Sequence, residues 1–214
     1  MNKTDEKETN NKIDKMKKQN IKEELIRKSK YNYDLDIKPR HKLMAKYCKE
    51  GLTLDLGCAS KPNFFLKNVI GCDMVIREMP NNYVSFIQAD LDVSFPKVKA
   101  DNITAGEVIE HLENPIKFLK DCYEKLNLRG RLIITTINTL YYYRYFPKKR
   151  GYNDHWIEFD YVTLKRTMEK VGFKIIVIRG TYLKLPLISR IKKLEYIWTK
   201  NKLLSADFMI VGEK

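Results

Sequence analysis

Between residues 52 and 110 the chain repeats one local pattern four times: a short apolar run that halts at a glycine or a carboxylate. The runs are "LTLDLG", "NVIGCD", "YVSFIQAD" and "DNITAGEVI". They have strand length and strand composition. Helix-spaced segments follow. In "NPIKFLKDCYEKLNLRG" the apolar residues Ile116, Phe118, Leu119, Cys122, Tyr123, Leu126 and Leu128 read as helix spacing, with Pro115 opening the helix and Gly130 after its end. "RLIITTIN" reads as a strand buried on both faces, "DYVTLKRTMEKVGF" as a helix stopped by Gly172, and "KIIVIRG" and "ADFMIVGEK" as two further strands. The pattern predicts an α/β fold: a Rossmann-like doubly wound sheet of about seven strands, mostly parallel with an antiparallel last strand, and helices on both faces.

Upstream, "PRHKLMAKYCKEG" predicts a helix ending at Gly51, and residues 1–30 read as a basic, flexible tail before a single domain over 31–214. The net charge of +14 is concentrated in the flanks: +6 over residues 1–50, −1 over 51–139 and +9 over 140–214. Such a field attracts nucleic acid, anionic lipid or anionic metabolites, and it also suits a merely solvated lysine-rich surface. The four cysteines have no metal-ligand or disulfide-framework spacing, so reduced, mostly buried thiols are expected. No apolar run is long enough to span a bilayer and the N-terminus lacks a signal-peptide core, which points to a cytoplasmic protein.

In open parallel sheets, ligands sit beyond the carboxyl ends of the strands. Asp55, Asp73, Asp90 and Glu107 all fall at such ends. The turn Gly57-Cys58-Ala59-Ser60-Lys61-Pro62 keeps one glycine of the three that a pyrophosphate cradle needs. A ligand without phosphates, carrying a ribose and a positive centre, suits these residues better. S-adenosyl-L-methionine has those features. Asp73 would take both ribose hydroxyls, Asp90 the adenine amino group, Leu91 a ring nitrogen through its backbone N–H, and Gly57 would admit the methionine portion.

The stretches "LDLGCAS", "VIGCDMV", "IQADL", "AGEVIEHLENPIKFLK" and "LRGRLIITTIN" resemble the class I S-adenosylmethionine-dependent methyltransferases. "EVIEHLENP" is similar to the subgroup of ubiquinone-biosynthesis O-methyltransferases and lipid- or sugar-modifying relatives. The resemblance implies a cofactor site of Asp55, Gly57, Cys58, Ala59, Asp73, Met74, Asp90, Leu91 and Glu107. Two departures stand out. Ala59 occupies the place of a second glycine, and only 15 residues separate Gly57 from Asp73, so the first crossover should be short or irregular.

Glu107, Glu110 and His111 sit at i, i+3 and i+4, one side of a single turn. Three readings stand: a cap on the helix start, His111 as a general base on a hydroxyl acceptor, or a divalent-ion site, which the family resemblance implies. The base is preferred to the ion, and no metal residue is assigned. "TLYYYRYFPKKRGYNDHW", near 140–158, is where the family keeps an acceptor-covering insertion, with Tyr142, Tyr145 and His155 as substrate residues. Near 183–202, Leu187, Ile191, Leu194 and Trp198 would share one face of a basic amphipathic helix, suited to packing on the domain or to peripheral membrane contact. The expected activity is methyl transfer to oxygen or nitrogen of a small-molecule, glycan or lipid-linked acceptor. The rivals are an RNA methyltransferase and a non-catalytic binding or scaffold protein.

Overall fold

The β-branched and apolar runs form the centre of a seven-stranded sheet in the computed structural model, which describes residues 37–145, 154–184 and 196–214. The strands are β1 (Thr53–Leu56), β2 (Val69–Asp73), β3 (Tyr83–Gln88), β4 (Ala100–Gly106), β5 (Leu126–Ile137), β6 (Lys174–Gly180) and β9 (Asp207–Glu213), in the order β3-β2-β1-β4-β5-β9-β6. Neighbours from β3 to β5 pair in parallel, while β9 runs antiparallel to both β5 and β6. The chain winds outward from β1 to β3, then restarts at β4 on the other side. That reversal puts the topological switch point between β1 and β4.

Alternation along β5 divides the core. Leu132 and Ile134 join Phe118, Leu119 and Cys122 of α2 (Pro115–Lys125) and Leu164 and Met168 of α4 (Tyr161–Val171) in one cluster. Ile133 turns the other way, to Met44 of α1 (Ile37–Tyr47) and to Met209 and Val211 of β9. Both faces are therefore covered, as expected. The helix ends follow local chemistry: Asn114 accepts from Lys117 N at 2.9 Å, Asp160 accepts from Val162 N and Thr163 N, and Gly172 ends α4 at φ 123°.

Helix α2 stops short of the predicted end. Leu126 already pairs with Ala100, and the register then jumps to Arg131 opposite Asn102. Leu128, expected within the helix, is 85 % exposed in that irregular segment. Of the amphipathic helix expected near 183–202, only the two ends fall among the described residues, and there the placement of Trp198 needs correction. Tyr182–Lys184 (β7) and Tyr196–Trp198 (β8) form a separate antiparallel pair, so Trp198 belongs to a strand. The aromatic and β-branched run Tyr-Ile-Trp favours extended pairing over a helical stripe. Residues 185–195 and the 1–30 tail lie outside the described residues.

The irregular first crossover is present as expected. Residues 57–68 contain no helix. Polar anchors take its place: Asn63, 2 % exposed, donates its Nδ2 to His41 O at 3.2 Å and accepts from Phe65 N at Oδ1, while Asn82 Nδ2 bonds Asn63 O and Leu66 O. Among the described residues no helix is long and apolar enough to cross a membrane. All four thiols are unpaired, three of them buried, and burial pushes those of Cys48 and Cys72 up to about 12.

Candidate active site

At the switch point the first turn and the end of β4 touch. Gly57 has φ +67°, and a Cβ there would lie 2.4 Å from Cγ2 of Val108. Both facts require glycine. Its N–H bonds Cys72 O at 2.8 Å. Two residues on, Ala59 N donates to Asp73 Oδ2 at 2.9 Å, and Val75 N donates to Oδ1 at 3.1 Å. The turn thus orients the Asp73 carboxylate, which lines a cavity of about 200 Å³.

That cavity is lined by Gly57, Asp73, Met74, Asp90, Leu91, Glu107 and His111 of the expected residues, together with Ala89, Asp92, Val108 and Leu112. Cys58 and Ala59 are buried in the turn behind it. Asp90 and Asp92 each have one oxygen engaged: Asp92 Oδ1 accepts from Glu113 N and Asn114 N before α2, and Asp90 Oδ1 accepts from Asp92 N at 3.0 Å. A larger hollow of about 690 Å³ opens at the other end of the sheet, around Cys48, Gly51, Phe65 and Asn68, and receives none of the strand-tip carboxylates.

Asp55 does not line the cavity. It is 5 % exposed, accepts from Thr104 Oγ1 at 2.6 Å on one oxygen and from the Tyr83 hydroxyl on the other. Burial pushes its pKa up to about 6, against the pull of those two hydrogen bonds. The folded chain therefore holds this proton more tightly than the unfolded chain, whose aspartate titrates near ~3.9. The stability it contributes is complete below about pH 4 and is lost as the pH rises towards 6, by about 3 kcal/mol at most. Melting measured across this range should fall with pH, and Asp55→Asn should flatten the fall. An unchanged slope in the variant would place the titrating group elsewhere.

Glu107 adopts φ +56° and pairs with Arg40 Nη1 of α1 at 3.0 Å; Asp207 lies 3.9 Å from the same nitrogen. Beyond it, Ile109–His111 forms one 3-10 turn. Glu110 is fully buried, and neither carboxyl oxygen has a well-formed hydrogen bond. Burial, then the neighbouring Glu107 charge, raises its pKa well above the usual carboxylate range. The segment after the insertion is pinned to this turn by Trp156 N bonding Glu110 O at 2.8 Å. His155 is thereby brought edge-on to His111, with ring centres 4.7 Å apart. Asp154 O lies 3.0 Å from His111 Nδ1, and Glu158 Oε1 lies 3.2 Å from His155 Nδ1.

Ligand atoms of Glu110, His111 and His155 lie within 4.8 Å of one another. Two imidazoles and one carboxylate are a donor set for a divalent transition ion. A cation bound there would offset the burial of Glu110 and favour its ionised carboxylate. The residues fit such an ion. Sequence spacing had grouped Glu110 with Glu107 and His111; the structure exchanges Glu107 for His155, 44 positions from His111 and beyond the reach of any local pattern. Of the other expected substrate residues, Tyr142 is half-buried on α3 (Thr139–Tyr145), edge-on to Tyr141, and the Tyr145 side chain lies outside the described residues.

A parallel sheet with an acidic residue at the tip of β2 and a glycine turn at the switch point defines a nucleoside-binding α/β protein. Residues 28–177 match the methyltransferase domain family, and the chain belongs to that family, with the class I S-adenosylmethionine-dependent architecture. A ubiquinone biosynthesis O-methyltransferase of Cereibacter sphaeroides is 31 % identical over 105 residues, which cover 42 % of this chain and 42 % of that protein. The chain thus spans under half the length of the curated relatives it matches. Its fold is shared with an S-adenosylmethionine-dependent methyltransferase of Thermotoga maritima (TM-score 0.60, 17 % identity, 89 % and 97 % of the two chains). Another, from Mesorhizobium loti, gives a TM-score of 0.57 at 13 % identity, covering 82 % and 96 %.

Proposed function

We propose that the chain transfers the methyl group of S-adenosylmethionine to an oxygen of a small-molecule acceptor held beside His111. The observation that carries this reading is the single cavity joining Gly57, Asp73 and Asp90 to His111. Asp73 takes the ribose hydroxyls, Asp90 and the Leu91 backbone take the adenine, and the Gly57 turn receives the methionine tail. The cofactor supplies a methyl already activated by its sulfonium. What remains for the protein is to align acceptor and methyl and to remove the acceptor's proton. His111, oriented through Nδ1 by Asp154, is the base.

The unpartnered carboxyl of Glu110 supports a second reading of the same end, in which Glu110, His111 and His155 hold a divalent ion. Bound there, an ion would lower the pKa of an acceptor hydroxyl and orient it. The ubiquinone-type relatives favour oxygen over nitrogen as the methylated atom. The test is a methyl-transfer assay on hydroxylated small molecules with and without a chelator. Transfer that survives chelation supports His111 as base; transfer lost and restored by a divalent ion supports the ion. No transfer to any hydroxyl, with amine acceptors methylated instead, would refute the oxygen assignment.

A further inference from the structure

The helix-free crossover poses a physical problem. In a doubly wound fold the helix after β1 holds the cofactor turn in place, and here residues 57–68 have none. Something else must fix the turn to within a fraction of an ångström.

One side chain joins the relevant parts. Tyr83, first residue of β3 and 9 % exposed, donates its hydroxyl proton to Asp55 in β1 and accepts from the backbone N–H of Asn63 at 2.8 Å. Asp55 is two residues before Gly57 and is also held by Thr104 of β4 at 2.6 Å. Asn63 is the buried hub of the crossover, tied to α1 through His41 O and to the β2–β3 loop through Asn82. The hydroxyl of Tyr83 therefore bridges both ends of the loop that contains Gly57, Cys58 and Ala59. From Ala59 the chain of contacts continues to Asp73 Oδ2 at 2.9 Å.

We infer that Tyr83 is a positioning residue for the cofactor, setting the Gly57–Ala59 turn and the Asp73 carboxylate through Asp55 and Asn63 without touching the ligand. It does the work of the absent helix with two hydrogen bonds. The inference rests on the placement of the cofactor at Asp73.

Tyr83→Phe removes only the hydroxyl. It leaves the buried Asp55 oxygen and the Asn63 N–H each without a partner, and both must seek others nearby. Dissociation constants for S-adenosylhomocysteine are read by calorimetry on the full chain, beside melting temperatures. As a control for stability alone, Met168→Ala empties a fully buried position on α4, packed against Gly212 of β9 and sharing no described hydrogen bond with Asp55, Asn63 or Asp73. Tyr83→Phe is expected to weaken binding at least 10-fold, whereas Met168→Ala, with an equal or larger drop in melting temperature, leaves it within about twofold. Equal weakening by both variants, or none by Tyr83→Phe, would overturn the positioning role. Asp73→Ala separates the two layers. If it weakens binding and Tyr83→Phe does not, the inference alone fails. If Asp73→Ala has no effect, the cofactor placement fails and takes the inference with it.

Discussion

Asp73→Ala is expected to raise the dissociation constant for S-adenosylhomocysteine about 100-fold. The carboxylate already accepts one bond on each oxygen, from Ala59 and Val75, and it lines the cavity with acceptor capacity to spare. Hydrogen bonds to a charged acceptor contribute roughly 1.5–3 kcal/mol each, so losing the two from the ribose hydroxyls removes about 3 kcal/mol or more. The alanine also frees the Ala59 N–H, which loosens the turn and adds to the loss. Glu78→Ala, five residues on in an exposed loop, is the control and should bind normally. Calorimetry with the two variants decides the matter: equal affinities would remove Asp73 from the ribose site.

His111→Ala is expected to keep that affinity and lose turnover by a factor on the order of 10²–10⁴, the usual contribution of a positioned proton acceptor. The residue lines the same cavity as Asp73, and its ring is held by Asp154 and by the His155 edge. Were His111 only a cap on the 3-10 turn, its loss would cost about 1 kcal/mol of stability and leave turnover intact. His155→Ala adds a comparison. As a ligand of an ion it should be as damaging as His111→Ala; beside a lone base it should cost far less. Single-turnover rates with saturating cofactor measure both.

The strands, their mostly parallel run and the acidic strand ends were legible because they rest on local signals; the order β3-β2-β1-β4-β5-β9-β6 was not. A strand that halts at aspartate, as "NVIGCD" does, states both its direction and its tip. A short or irregular first crossover could be foreseen from chain length, since only 15 residues separate Gly57 from Asp73; that it would hold no helix at all could not. What filled the gap was not legible. Tyr83, Asn63 and Thr104 are ordinary residues until the fold brings them around Asp55. The same holds for Arg40, whose pairing with Glu107 joins α1 to the end of β4 across 67 positions. The ends of elements misled for a different reason. Leu126 and Leu128 continue the helical period, yet pairing with Ala100 claims Leu126 for β5. Trp198 likewise fits a helical stripe until β7 offers it a partner. In each case non-local backbone pairing overrode a local periodicity.

The exchange of a crossover helix for side-chain clamps changes which substitutions the molecule can absorb. Under α2 and α4 the sheet is covered by interdigitated aliphatic and aromatic groups, and such cores accept other apolar residues of similar volume. Beside β2 and β3 the buried apolar cluster is small, and Asn63, Asn82, Tyr83 and Asp55 carry the load through bonds with fixed donors and acceptors. A hydrogen bond has direction and identity, so neither isosteric nor volume-matched replacements preserve it. Sequence drift in this protein is therefore cheap on the helical side and expensive around the cofactor turn, at positions that never meet the ligand.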